Sequence, residues 1–243
     1  MPAKPYKKSE LNKKRQVEDM FNRISYRYDL LNHLLSFNID KLWRNNAIKK
    51  LAEYNPSTII DIATGTADFA IAAARLNPKQ ITGIDLSEGM LEIGKRKVEK
   101  RGLSQCITLI KGDSEELPFQ DNLFDAAIVG FGVRNFENPE KGLREIFRVL
   151  NHGGVFLVLE FSFPQNKIFR KLYSFYFLKV LPVIGRLLSK DNSAYTYLPE
   201  SVTEFPEGER FLEILSSAGY INCRCYPQSF GIASLYLSQK PKI

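Results

Sequence analysis

The sequence predicts an open α/β fold built on a largely parallel sheet, and three observations carry that expectation. A short β-branched run at Ile59, Ile60 and Ile62 gives way to Phe69, Ala70, Ala73, Ala74 and Leu76 at helical spacing, so the hydrophobic period changes across one small-residue turn. Further short apolar strands follow at Ile81–Asp85 and Ile107–Ile110. Each of the three strands carries an aspartate toward or just beyond its carboxyl end: Asp61, Asp85 and Asp113. Ligands of open α/β sheets bind in the crevice outside those ends.

Taken in order, the chain opens on a basic stretch. Within residues 1–15, Lys4, Lys7, Lys8, Lys13, Lys14 and Arg15 face only Glu10, and they account for most of the net charge of +7. A mobile, solvated tail is the expectation; attraction to anionic lipid or nucleic acid is the sharper reading. No DNA- or RNA-binding module appears in the chain, so no nucleic-acid partner is expected. Residues 16–243 read as a single domain, with 44% hydrophobic residues to fill its core. Within it, residues 16–53 are helical: Val17, Met20, Phe21 and Ile24 recur at helical spacing, and a second apolar-aromatic segment runs from Tyr28 through Phe37 to Trp43. These helices either fold over the ligand cleft or cover one sheet face.

Beyond the third strand, Pro118 breaks the chain and Phe124–Gly130 forms the fourth strand. Asn138-Pro139 opens a helix with Leu143, Ile146, Phe147 and Leu150 on its apolar face. Gly153-Gly154 is expected to end that helix, because glycine accepts left-handed angles there, before a strand from Val155 to Phe161. Residues 164–206 interrupt the rhythm as an insertion, densely aromatic between Ile168 and Leu181, carrying Arg170, Lys171 and Lys179 and stopping at Pro182. It is too charged to span a bilayer; a membrane-interface position, a pocket for a long apolar substrate and a homodimer contact all suit it. A helix over Gly208–Ala218 and two strands, Ile221–Tyr226 and Ile232–Leu237, complete the pattern. Neither a transmembrane span nor a secretory leader is read, and Cys106, Cys223 and Cys225 show no disulfide or metal spacing, so a cytoplasmic protein without a metal is expected.

The ligand class follows from charge. A dinucleotide fingerprint would place three glycines after the first strand, whereas only Gly65 stands here, with Thr64 and Ala67 in the neighbouring places and Asp61 and Asp68 on either side. Two acids repel a pyrophosphate and suit a ligand with an ammonium and a sulfonium, the charge pattern of S-adenosylmethionine. Asp68 as a plain helix cap is the alternative. Asp85 follows Gly65 by 20 residues, the separation at which a carboxylate meets ribose hydroxyls, and Asp113 with Ser114 suits an adenine amino group.

Several longer words narrow the class. Tyr28-Asp29-Leu30-Leu31-Asn32, Ser36-Phe37, Leu42-Trp43-Arg44, Leu117-Pro118-Phe119, Phe131-Gly132-Val133-Arg134-Asn135, Arg148-Val149-Leu150 with Gly153-Gly154, and Leu159-Glu160-Phe161-Ser162 closely resemble the ubiquinone/menaquinone biosynthesis C-methyltransferase family, over nearly everything after residue 16. The resemblance implies a Rossmann-like, seven-stranded class I methyltransferase sheet with its last strand antiparallel. It also implies methyl transfer from S-adenosylmethionine to a ring carbon of a polyprenylated quinol. Carried over by position, cofactor contacts fall on Thr66, Asp85, Asp113 and Ser114, with Gly65 permitting close approach and Asp61 beside it. Thr64 and Ala67 depart from loop glycines, Asn38 and Asp40 replace a glycine and a histidine, and Asn151-His152 replaces lysine-proline.

A quinol carbon becomes nucleophilic when a ring hydroxyl loses its proton, so the site needs a base or a cation for the phenolate. Arg134 is the first candidate for phenolate stabilisation and Asn135 for orienting the ring; Tyr28, Asp29 and Glu160 follow, with Asp29 or Glu160 accepting the proton. Each has a plainer role open to it: Arg134 pairing with an acid, Tyr28 packing, Glu160 capping a helix. His33 and His152 read as structural or inert. The Phe131–Leu143 stretch more closely resembles the menaquinone branch of that family, which implies demethylmenaquinol rather than a benzoquinol of the ubiquinone branch. The competing readings are a methyltransferase on a sterol or free phenol, an RNA-base methyltransferase, and a non-catalytic member of a quinone-biosynthesis complex.

Overall fold

The computed structural model describes residues 3–36, 38–180, 183 and 192–242. Helices α1 (Lys13–Leu35) and α2 (Ile39–Ala52) precede β1 (Thr58–Ile62), α3 (Asp68–Ala73), β2 (Gln80–Asp85), α4 (Glu88–Lys100), β3 (Ile107–Lys111) and β4 (Phe124–Gly130). There follow α5 (Pro139–Val149), β5 (Leu150–Phe161), α6 (Lys167–Phe175), α7 (Asn192–Glu204), α8 (Glu209–Ser217), β6 (Ile221–Gln228) and β7 (Ala233–Gln239). The expected stop at Pro182, and Phe37 and Leu181 beside it in the same readings, lie outside the described residues, as does the side chain of His33.

The strands form one seven-stranded sheet in the order β3-β2-β1-β4-β5-β7-β6, parallel except for β7, which runs antiparallel to both neighbours. Chain order reverses between β1 and β4, which opens a crevice at their carboxyl ends. Both sheet faces are covered, which is why the strands read as continuous apolar runs. Ile59, Ile81, Ile128 and Leu157 pack with α2, α3 and α4 on one face, through Trp43, Leu51, Phe69 and Leu91. Ile60, Ile84, Val129 and Phe156 point the other way, against Leu143 and Ile146 of α5 and Phe211 and Leu215 of α8.

The two helices ahead of the sheet divide the roles left open for them: α2 covers a sheet face, while α1 crosses the crevice. Helix α1 starts at Lys13, earlier than the boundary expected at residue 16, and the segment before it makes specific contacts rather than only solvent ones. Ala3 N–H donates to Glu204 at 2.5 Å, Tyr6 N–H donates to Gln16 at 2.9 Å, and Lys7 pairs with Glu200 at 2.6 Å. Lys13 is buried, and its ammonium donates to the carbonyls of Arg134 and Phe136 at 2.9 Å each. Charge alone could not reveal this, because a lysine stem buries readily when carbonyls meet its head.

Gly153-Gly154 does not end α5. The helix stops at Val149, Leu150 is already extended, and the glycines belong to an irregular stretch inside β5, where Leu150 pairs with Phe124 and Val155 with Ala126. Gly153, at φ +78°, donates its N–H to the carbonyls of Lys240 and Pro241. The left-handed glycine therefore makes a bulge rather than a cap. Asn38, where a glycine is usual, sits at φ +59° before α2, an angle that asparagine tolerates better than most residues. Asp40, two residues on, accepts from Ser36 Oγ and from Arg44, each at 2.6 Å. No helix among the described residues is long and apolar enough to cross a membrane.

Candidate active site

The crevice holds two adjoining spaces. A cleft runs over the ends of β1, β2 and β3 beneath α1, lined by Asp85, Asp113, Ser114, Gly65, Val17 and Phe21 among others. A larger, mainly apolar cavity lies between α1, α2, the ends of β1, β4 and β5, and the insertion. Phe21, Tyr28, Ala63, Gly65, Gly130, Phe131 and Asn135 line both. Ala63 and Phe131, at the ends of β1 and β4, have φ of +52° and +58°. Two side-chain-bearing residues held left-handed at the switch point mark backbone bent to shape the site.

In the cleft, the turn after β1 is tied to the end of β2. Asp85 accepts from Gly65 N–H and Ser87 N–H, each at 2.8 Å, and burial pushes its carboxyl up against the pull of those bonds. Gly65 sits at φ +55°, and a Cβ built there would meet nothing within 4 Å, so its open side faces the space a ligand needs. Asp113 accepts from Glu115 N–H at 2.9 Å and from Lys14 Nζ of α1 at 2.6 Å; Lys14 also reaches Glu115 at 3.1 Å. Lys14, read from the sequence as part of a solvated tail, thus sits on the acid expected to meet adenine.

On the wall of the larger cavity, below the turn after β1, Asp61 is buried. Its Oδ2 accepts from Thr64 Oγ at 2.7 Å and Ala70 N–H at 2.9 Å, while among the described residues its Oδ1 has no partner. Burial raises its pKa to about 7, against the opposing pull of the Thr64 and Ala70 bonds. Asp68 does not cap α3: the residue before it, Ala67 at φ +65°, occupies the cap without a side-chain bond. Instead Asp68 pairs with Lys97 of α4, which also holds Asp29 at 2.8 Å and Thr66 Oγ at 3.1 Å. Thr66 Oγ in turn donates to Asp29 at 2.5 Å. Asp29 is not among the residues lining either space and is held as a bridge between α1, α4 and the turn after β1.

In the larger cavity, Arg134 follows β4 and pairs with Glu160 of β5 at 2.7 Å; both side chains are buried. Glu160 also accepts from Phe161 N–H at 3.0 Å, and burial raises its pKa despite the opposing Arg134 charge. Glu160 is not among the residues lining either space and is the buried partner of Arg134. The guanidinium lies 5.5 Å from the Phe161 ring centre and donates from Nη1 to the Phe131 carbonyl, yet its buried Nε has no partner among the described residues. Asn135 donates to the Phe131 carbonyl at 3.3 Å and accepts from Tyr197 of α7 at 3.1 Å. Tyr28 stands edge-on to Phe21 at 5.8 Å between centroids and borders both spaces.

Lys97 and Tyr197 went unnoticed in the sequence, and Lys14 reads there only as part of the basic tail. An aromatic insertion hinted at Tyr197; nothing distinguished the two lysines from solvated ones.

A doubly wound sheet with one reversed strand, acids at three successive strand ends and an open glycine turn beside the first define a class I S-adenosylmethionine-dependent methyltransferase fold. A methyltransferase of that kind from Thermotoga maritima superposes with a TM-score of 0.63 at 18% identity, covering 92% of this chain and 99% of that one, a likeness that extends to the fold. The chain belongs to the ubiE/COQ5 methyltransferase family, whose profile matches residues 8–240. Among its relatives, a demethylmenaquinone methyltransferase of Bacteroides fragilis is 45% identical over 98% of this chain and 97% of its own length. A ubiquinone/menaquinone biosynthesis C-methyltransferase of Geobacter sulfurreducens is 44% identical over 93% of this chain and 88% of its own.

Proposed function

We propose that the protein transfers a methyl group from S-adenosylmethionine to a ring carbon of a polyprenylated quinol, converting demethylmenaquinol to menaquinol. The observation that carries this reading is the unspent, buried Arg134 Nε beside an apolar cavity that adjoins the cofactor cleft. A cavity of that apolar, aromatic character suits a fused aromatic ring with the start of a prenyl tail, and a guanidinium donor suits the oxygen on that ring. The relatives' names supply the acceptor.

The residues present fit the donor. Among the described residues Asp61 Oδ1 lacks a partner and is free to take an ammonium, Gly65 presents no Cβ to the cleft, and Asp85, Asp113 and Ser114 line the cleft where the ribose and adenine ends would lie. S-adenosylmethionine, when bound, supplies an electrophilic methyl on a sulfonium. The chain's task is then to align the acceptor and raise its electron density. Arg134, held by Glu160, stabilises the phenolate; Asn135, held by Tyr197, sets the ring's angle; Tyr28, Phe21 and Phe131 keep water from the shared wall. The hydroxyl proton passes to water when the phenolate forms; the new carbon–carbon bond forms as the carbon–sulfur bond breaks, leaving the neutral thioether S-adenosylhomocysteine; the ring carbon then loses its proton to water as the ring oxygen regains one, which restores the quinol. Three free cysteines agree with a reducing, cytoplasmic setting, at the inner face of the membrane that holds the substrate.

Methyl-labelled S-adenosylmethionine offered with demethylmenaquinol or with a demethylated benzoquinol, each carrying a short prenyl tail, tests the reading. Label is expected in the naphthoquinol. Label in both would mark a dual-pathway enzyme, and label in neither, with the cofactor bound by calorimetry, would overturn the acceptor.

A further inference from the structure

Helix α6 presents two faces of opposite use. Tyr173, with Tyr176 and Phe177 just after the helix, lines the larger cavity, whereas Ile168, Leu172 and Phe175, spaced four and three residues apart, form a stripe that is 76%, 65% and 65% exposed. A second element joins that stripe. Phe230, in the turn between β6 and β7, is 85% exposed, the most of any large apolar side chain among the described residues, and its ring stands 5.5 Å from that of Phe169 on α6. An apolar patch contributed by two separate elements at the edge of a binding site indicates an interaction surface.

Its charge identifies the occupant. Between Pro164 and Val180 the sequence has Lys167, Arg170, Lys171 and Lys179 and no acidic residue. Exposed apolar side chains bordered by cations fit the headgroup region of an anionic bilayer, where rings and aliphatic chains enter the acyl boundary and ammonium groups stay with phosphates. We propose that α6 and Phe230 form a membrane-docking face for anionic lipid, seating the cavity against the bilayer so that a prenylated ring enters while its tail stays in lipid. The proposal rests on the quinol reading for its purpose, but not for its surface chemistry.

The test is sedimentation of the full chain with vesicles of phosphatidylcholine alone or with one third phosphatidylglycerol. The protein should partition at least about tenfold better into the anionic vesicles, and less in high salt. Leu172→Asp with Phe175→Asp, and separately Phe230→Asp, should each weaken partition about tenfold or more; Lys167→Ala and Lys171→Ala should weaken it about fivefold per charge. Thermal melts, and methyl transfer to an acceptor with a single prenyl unit in free solution, should match the parent, while transfer to a long-chain acceptor in vesicles should fall with partition. Equal partition of parent and variants, or none by the parent, would overturn the docking face. So would a dimer in ultracentrifugation that these substitutions dissociate without any vesicle binding, which would give the face to a second copy. Vesicle binding with no methyl transfer to any quinol would sink the acceptor and leave the docking face standing.

Discussion

Asp61 is under electrostatic tension, since among the described residues one of its two carboxylate oxygens is buried without a partner. Its folded pKa, about 7, lies above that of an unfolded aspartate, so the native state holds a proton that the unfolded chain releases. Stability therefore falls as pH rises from about 4 to about 7, by at most about 1.4 kcal/mol per pH unit. Urea titrations at pH 5 and pH 8 should show that loss in the parent and little of it in Asp61→Asn, whereas S-adenosylmethionine, whose ammonium meets the charged form, should recover it in the parent alone. Arg134 poses the complementary question. Arg134→Ala should lower kcat by about 10² to 10³, the scale of losing one donor to a developing oxyanion, with the cofactor's Kd unchanged by calorimetry. Glu160→Ala would leave that guanidinium buried and unpaired, so it should cost about 3–5 kcal/mol in chemical denaturation as well as activity.

Among the elements, α1 links the fold to the cofactor end of the site. Its Lys14 occupies Asp113 Oδ2, so an adenine amino group must share or displace it. Lys14→Met should tighten S-adenosylmethionine about fivefold, the effect of one released competing charge, without altering kcat; calorimetry and steady-state rates check both. The elements also explain what the sequence could reveal. Strands β1, β2 and β4 were legible because burial on both faces leaves uninterrupted apolar runs ended by small residues or acids. The start of β5 was not, because a glycine pair after an amphipathic helix looks the same whether it caps the helix or makes a bulge. In the site, Asp61, Asp85 and Asp113 were legible because each lies next to its own strand. Lys14, Lys97 and Tyr197 reach the same crevice from α1, α4 and α7, and no local pattern reports what a distant element will meet. The same distance hid the pairing of Asp29 with Lys97 and left open which acid Arg134 would meet.

Across the whole molecule, cofactor binding draws on β1, β2, β3 and α1 together, so it should stabilise the domain as a unit. At a concentration about 100-fold above Kd, S-adenosylmethionine should raise Tm by about 5–10 °C in a thermal scan. The order of the strands bears on how such a sheet is first made. Strand β7 lies between β5 and β6 yet follows both in the chain, and every strand pairing of β6 is with β7. While the nascent chain leaves the ribosome, β5 has its β4 edge satisfied and its other edge bare, and β6 has no ladder to join. Residues 233–239 must emerge before either is sealed. A truncation just ahead of Ala233 therefore exposes the edge of β5, whose residues 154–160 are all buried in the complete sheet, and the period of synthesis in which the protein is open to aggregation extends until β7 is made.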